Sequence, residues 1–444
     1  MRARFSTTFR SLRVRNYRLF SVGQLISLIF GWVQITAQDW LVLQLSHDSG
    51  TALGWVTALQ FTPILLLSLY AGKLADRFDK RVLLLIVNLA WLVLAAAMGV
   101  LVVSGRVTLW QVFVFAALWG TVSAIETPAR QAFASEMVDA RLLPNALSLA
   151  SAAFNTARVI GPAVGGVAIA TLGTGPAFLV NAVSYLGPLV ALSLMNVSEL
   201  HRDGLAEGPV RARDARVIDG LRYVFRRGDL ILPMALMLVI GMLGFNFQLT
   251  LALLAKTVFH TSAATFGLLT TALALGALAG ALAGAGRRSR PSVWLVLGAG
   301  VGFGLLETLV GLGPDYVVVA LLLVPTGFFM MSLAQAANQR VQLGADPEVR
   351  GRVMALYIMV FLGTNPLGAP LIGWLSQTFG PRSSIWLGGL VSLLVAAGAL
   401  VVRLRMAGGR VRMRVRPSPR FYVVVDPVAL PATPAEPVVM RHAA

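Results

Sequence analysis

The chain is expected to fold as an all-α membrane protein, with twelve transmembrane helices in two six-helix bundles. Three observations predict this. Twelve apolar stretches follow one another through the 444 residues, each long enough to cross a bilayer. A hydrocarbon core of roughly 30 Å takes about 20 apolar residues of helix, because lipid cannot satisfy an open backbone. The composition is 57% hydrophobic and 13% charged, with a mean hydropathy of +0.76; soluble domains carry roughly a quarter charged residues. Finally, the connections between stretches carry Arg and Lys almost only on alternate sides. Together these features exclude a soluble enzyme.

The expected spans are residues 18–45, 52–71, 82–103, 108–128, 145–171, 175–195, 229–256, 262–284, 291–312, 316–337, 353–377 and 383–403. They divide the chain into a cytoplasmic segment (1–17), an N-terminal bundle (18–195), a polar linker (196–228), a C-terminal bundle (229–403) and a basic, Pro-rich tail (404–444), expected to be mostly disordered. Of 37 Lys and Arg, 33 flank one side of the spans, three (Arg106, Lys256, Arg382) flank the other, and Arg158 lies within span five. By the positive-inside rule both termini are expected in the cytoplasm. The net charge of +18 is therefore topological, with some attraction to anionic headgroups. Nucleic-acid binding is not expected, since no basic patch is interleaved with stacking aromatics.

The chain has no Cys and four scattered His, so no metal site and no cofactor are expected. The first apolar run exceeds a signal-peptide core and lacks a small-x-small cleavage site, so no removable signal is expected. Phe5, Phe9 and Leu12 among arginines suit a short helix on the inner leaflet. In the linker, Val217, Ile218, Leu221, Val224 and Phe225 at i, i+3, i+4 spacing predict an amphipathic surface helix. Gly161-Pro162-Ala163-Val164-Gly165-Gly166 in span five parallels Asn365-Pro366-Leu367-Gly368-Ala369-Pro370 in span eleven. Such a repeat suits halves that enclose a midplane site and rock about it.

The loop after span two reads Gly72-Lys73-Leu74-Ala75-Asp76-Arg77-Phe78-Asp79-Lys80-Arg81. Gly72 permits a tight turn, Asp76 suits a helix N-terminus, and Lys80 with Arg81 pins the start of span three to the basic side. This loop resembles the signature of the major facilitator superfamily, which implies the major facilitator fold and a latch formed by the acid and arginine at positions 76 and 77. The corresponding loop after span eight, Gly284 to Arg290, lacks the acid. Arg15-Asn16-Tyr17-Arg18-Leu19-Phe20, Ala37-Gln38-Asp39-Trp40, Thr127-Pro128-Ala129-Arg130-Gln131, Arg158-Val159-Ile160-Gly161-Pro162 and Arg350-Gly351-Arg352-Val353-Met354 resemble its enterobactin-exporter and macrolide-efflux branch. That resemblance implies a proton-driven drug or siderophore exporter of the bacterial inner membrane. Gly161, Pro162, Gly165 and Gly166 also resemble the helix-packing motif of drug:proton antiporters, although Ala157 replaces its usual first glycine.

Gln24, Ser27, Gly31, Gln34 and Gln38 share one face of span one, since their spacing alternates between three and four. Three amides facing lipid would be expensive, so the face lines either a wet cavity or a helix contact; the cavity is the expectation. Asn155, Asn246 and Gln248 are further cavity candidates, and Trp32, Trp40, Phe245 and Phe247 suit bulky amphipathic ligands. Arg158 sits about 13 residues, or roughly 20 Å, into span five, where an ionised side chain requires a partner. It is expected to pair with Asp39 or Glu126 in one state and to lose that partner in the other, linking proton binding to the switch. A permanent structural pair is the alternative.

The expected function is thus a monomeric secondary exporter of small amphipathic compounds, with a small-molecule substrate, protons and membrane lipids as partners. Nutrient import, or a non-transporting sensor or scaffold on the same fold, are the alternatives. No phosphate-binding loop for ATP occurs in the sequence.

Overall fold

The computed structural model describes residues 9–201, 217–287, 289–406, 410–414 and 420–424. Twelve of its helical segments are long and apolar enough to cross a membrane. Spans one to five are α1 (Arg15–Leu45), α2 (Gly50–Arg77), α3 (Lys80–Val103), α4 (Leu109–Met137) and α5 (Leu143–Leu172). Span six comprises α6 (Thr174–Ser184) and α7 (Leu186–Ser193), and the linker contributes α8 (Val217–Phe225). Span seven is α9 (Gly228–Gly244) and α10 (Phe247–Leu253), prolonged by a π-turn at Leu254–Val258. The remaining spans are α11 (Ala263–Ala285), α12 (Val293–Leu312), α13 (Tyr316–Gly344), α14 (Arg350–Phe379) and α15 (Pro381–Met406).

Helix exteriors are apolar, as lipid demands. On α3, Val82, Ile86, Leu89 and Val93 are exposed at i, i+4, i+7 and i+11, while Leu84, Val87, Asn88 and Ala95 are buried. One face meets lipid and the other meets protein, so amphipathicity is weak and the pattern is one of residue size. In α12, Gly300 and Gly304 bring that helix against Ala396 and Leu393 of α15.

Two ends of the molecule differ in charge. At the basic end, Arg81 donates to the carbonyls of Leu192 and Ser193 at the close of α7, and Lys80 pairs with Glu136 at 2.8 Å. Asn16 and Asn196 exchange side-chain and backbone hydrogen bonds. In the second half, Asp229 accepts from Arg227 at 2.9 and 3.0 Å and from Arg290 at 2.6 Å. Asp229 lies on α9, not in the loop after span eight. A charge cluster therefore exists in the second half even though that loop lacks an acid, and it raises the basicity of Arg227. Tyr223 ties α8 to the same cluster through Arg227 and the Asp346 amide.

Several expectations are corrected. Gly72 lies within α2, not at a turn; the chain turns at Phe78 and Asp79. Asp79, not Asp76, caps α3, its carboxylate accepting from the Arg81 and Val82 amides. Asp76 and Arg77 are exposed, and no ion pair joins them among the described residues. Spans six and seven are interrupted, at Tyr185 and at Phe245–Asn246. Pro188 removes one amide from the first interruption. The tail departs from the expected disorder at Arg410–Arg414 and Arg420–Val424, which pair as antiparallel strands with Arg410 opposite Val424. Arg alternating with apolar residues is a period-two pattern that suits a strand. The linker helix occurs at Val217–Phe225, where Val224 is buried and Leu221 and Phe225 are exposed. The expected N-terminal helix falls partly outside the described residues; within them Arg10–Arg13 forms a 3-10 turn.

Candidate functional site

A cavity of about 550 Å³ opens at the basic end between α1, α4 and α5. Its polar lining comes from Tyr17, Gln24, Arg130, Gln131, Ser151 and Asn155, and its apolar lining includes Phe20, Leu28, Leu147 and Phe154. A surface of this mixture holds an amphipathic molecule by apolar contact and orients it by a few hydrogen bonds. Of the cavity candidates from the sequence, Gln24 and Asn155 are among these lining residues. Arg130 and Gln131 were not anticipated as lining. Their sequence block marked the family, but its arginine reads as a topogenic charge.

The rest of the amide stripe is corrected. Gln34 is 2% exposed and accepts from Asn181 at 2.5 Å; Gln38 is 3% exposed and donates to Gln60 at 3.1 Å. Both join helices of the first half and do not line the cavity. Asn246 is buried at the α9–α10 break, its amide donating to the Met242 carbonyl. There it replaces a helical bond that the break would otherwise lose. Phe247 is buried against Phe303, and Trp40 stacks on Phe266 at 6.4 Å, so these rings serve packing as well. Trp32 lies edge-on to the cavity residue Phe154.

Of the expected ionic switch, each member is placed apart. Glu126 accepts from Arg130, one helical turn on, at 2.6 Å. Asp39 accepts from Gln248 at 2.9 Å, a bond between α1 and α10. Arg158 is half-buried, and its Nε and Nη2 have no hydrogen-bond partner among the described residues. The expected pairing of Arg158 with Asp39 or Glu126 is absent from this conformation, because both acids are otherwise engaged. No group of three or more His, Cys, Asp or Glu suited to a metal occurs among the described residues.

Contacts between the first six spans and the last six are made chiefly by α2 on α14 and α5 on α11. They lie towards the end opposite the basic one. Gly161 and Gly165 admit Trp32 and Val33 of α1, whereas Gly166 admits Ala263 and Ala264 of α11. Gly267 of α11 in turn meets the Pro162 carbonyl, and Thr271 donates to the Val159 carbonyl at 3.0 Å. On the other seam the Gly50 amide donates to Gln377 at 2.7 Å, and Gly54 lies against Ala369. Near these contacts Lys256 pairs with Asp48 at 2.5 Å and sits over the Trp40 ring. His47 and Asp48 hold left-handed backbone, φ 52° and 63°, a cost that non-glycine residues bear where a turn is fixed by its surroundings. Towards the basic end Leu66 and Tyr70 of α2, Leu147 and Phe154 of α5, and Ile358 of α14 are exposed.

The profile of the transmembrane secretion effector family matches residues 6–424. The chain is 27% identical over 372 residues to a staphyloferrin A transporter of Staphylococcus aureus, covering 82% of this chain and 90% of that one. It is 27% identical over 387 residues to the multidrug efflux pump Tap of Mycolicibacterium fortuitum, covering 84% and 92%. Among solved structures, an inward-facing bacterial homologue of the lysosomal transporter Spinster superposes with a TM-score of 0.66 at 14% identity, covering 88% and 95%. A D-xylose–proton symporter does so with 0.64 at 14%, covering 85% and 96%. These two share the fold. With twelve spans, this fold and a matched profile over most of its length, the chain is a multi-pass membrane transporter of small molecules and belongs to the transmembrane secretion effector family of the major facilitator superfamily.

Proposed function

We propose that the protein is a proton-driven exporter of amphipathic organic compounds of the drug or siderophore class, working by alternating access between two six-helix bundles. One observation carries this reading. The contacts between the halves gather towards one end, and towards the other a cavity of about 550 Å³ with a mixed polar and apolar lining opens between α1, α4 and α5 of the first half. The positive-inside rule puts the open, basic end in the cytoplasm, so this conformation is the one that would load substrate for export. Pairing of α2 with α14 and of α5 with α11 supports two bundles related by a pseudo-repeat. The relatives named for siderophore transport and multidrug efflux support the substrate class.

Coupling is assigned to Asp39 and Arg158, with Glu126 lying nearer the cytoplasm than Asp39. Asp39 bridges the halves while Arg158 stands without a partner. As the outer contacts separate, Asp39 loses Gln248 and pairs with Arg158; a proton taken up from outside neutralises Asp39 and parts that pair, and it passes to the cytoplasm once the conformation described above returns. Each proton entering down 100 mV contributes about 2.3 kcal/mol, enough to bias such a switch more than tenfold.

The test is efflux of fluorescent amphipathic dyes and ferric siderophores from proteoliposomes with an imposed proton gradient. Arg158→Ala and Asp39→Asn are expected to abolish gradient-driven transport and to leave insertion intact. Unimpaired transport in both variants removes the switch; wild-type transport indifferent to the gradient removes proton coupling.

A further inference from the structure

Glu307 has no part in the switch described above. It lies on α12, is 2% exposed, and its Oε2 has no hydrogen-bond partner among the described residues. Its pocket is built by omission of side chains: a Cβ on Gly244, the last residue of α9, would stand 2.7 Å from Oε2, and one on Gly388 of α15 would stand 3.5 Å from Oε1. Phe303, one turn earlier on α12, closes the same seam and lies edge-on to both Phe245 and Phe247.

No cation neutralises this acid among the described residues. The elements packed on α12 include α9, α13 and α15, with Phe247 of α10 on Phe303. From α15, Arg382 gives its guanidinium to the carbonyls of Gly313 and Pro314, past the end of α12. From α13, Asp315 caps its own helix, and Arg340 donates to the Pro291 carbonyl at the basic end. From α9, Asp229 is held at the basic end by Arg227 and Arg290. Lys256, beyond the break, pairs with Asp48. An ionised carboxylate with neither cation nor a full set of donors is costly in such a place, whereas a neutral carboxyl fits it.

The location gives the group leverage. Gly244, which touches Glu307, is followed by the break at Phe245 and Asn246, by Phe247 packed on Phe303, and by Gln248 bonded to Asp39 of the other half. Three residues lie between the acid's contact and the bond between the halves. Resting on the proton-coupled reading above, we propose that Glu307 is a second proton-binding site, whose loading holds the α9–α10 break and so keeps Gln248 against Asp39. On losing its proton, the carboxylate draws water into the Gly244–Gly388 seam. The end of α9 then moves away, and the contact with Asp39 loosens.

The test uses the purified full-length protein in lipid nanodiscs. Infrared difference spectra taken across a pH titration should contain a protonated-carboxyl band that Glu307→Gln removes and Asp39→Asn retains. Spin labels at the exposed positions Leu172 and Leu312 (64% and 59%), on opposite halves at the non-basic end, should separate as pH rises. In Glu307→Gln, whose amide mimics the loaded acid, they should keep the low-pH distance throughout. Gly244→Ala, which keeps the acid and crowds it, should displace the midpoint of both signals and provides the test should the first variant not fold. A band unchanged by Glu307→Gln, or a wild-type midpoint in Gly244→Ala, overturns the proposal. The band reports on Glu307 without transport, so failure of gradient-driven efflux in the wild type would sink the functional reading separately.

Discussion

A buried amide in a membrane helix has two ways to satisfy itself, water in a cavity or a partner on another helix, and the residue alone does not say which. Gln34 takes the second, with Asn181. Replacing Gln34 with Leu should therefore cost stability and leave the pH dependence of transport unchanged. The coupling measured by a Gln34→Leu and Asn181→Leu double-mutant cycle in detergent unfolding is expected at about 0.6–1.7 kcal/mol. A coupling near zero would mean that the two amides are satisfied independently. The spacing of the stripe assigns these residues to one face, but periodicity reports a face and not what the face meets. Arg130 shows the converse. Its cavity position was hidden because a basic residue near a helix end already has a sufficient topological explanation. Glu307 was visible only as an acid within a span, since its isolation depends on two glycines contributed by helices distant in sequence.

Among elements, the twelve spans were legible because the bilayer imposes a length and a composition on every one of them. The interruptions at Tyr185 and Asn246 were not, since hydropathy is a sum over a window and a break between apolar residues leaves that sum unchanged. The join between α8 and α9 was half legible: the amphipathic pattern gave the helix, while its anchor lay in the pairing of Asp229 with Arg227 and Arg290. Removing that acid leaves two guanidiniums facing each other. The side chains are partly exposed, so Asp229→Ala is expected to loosen α8 by only about 1 kcal/mol. Cleavage of the 196–228 linker by trypsin in inside-out vesicles should then quicken about fivefold, with Asp229→Glu close to wild type. An equal rate in Asp229→Ala would show that α8 is held by its apolar contacts alone.

For the whole molecule, the charge flanking the spans carries an expectation of which way the helices thread, but none of which end of the transporter is pinched shut. That depends on a free-energy difference between two packings with the same helices and most of the same contacts. The ion pair of Asp48 with Lys256 belongs to the closed end, and reversing it tests the balance directly. Lys256→Glu replaces an attraction of about 1 kcal/mol, allowing for its exposure, with a repulsion of similar size, enough to shift the population roughly tenfold or more. Adding Asp48→Lys restores an attraction in reversed order. Because the chain contains no Cys, a cysteine introduced at Gly31, whose Cβ would meet open space, is the sole thiol. An impermeant thiol reagent applied to the face opposite the termini should label Gly31→Cys slowly in the wild-type background and about tenfold faster with Lys256→Glu. In the doubly reversed pair labelling should be slow again. Fast labelling in all three backgrounds would mean that this end is not the closed one, whereas slow labelling in all three would mean that the helix seams, not the ion pair, hold it shut.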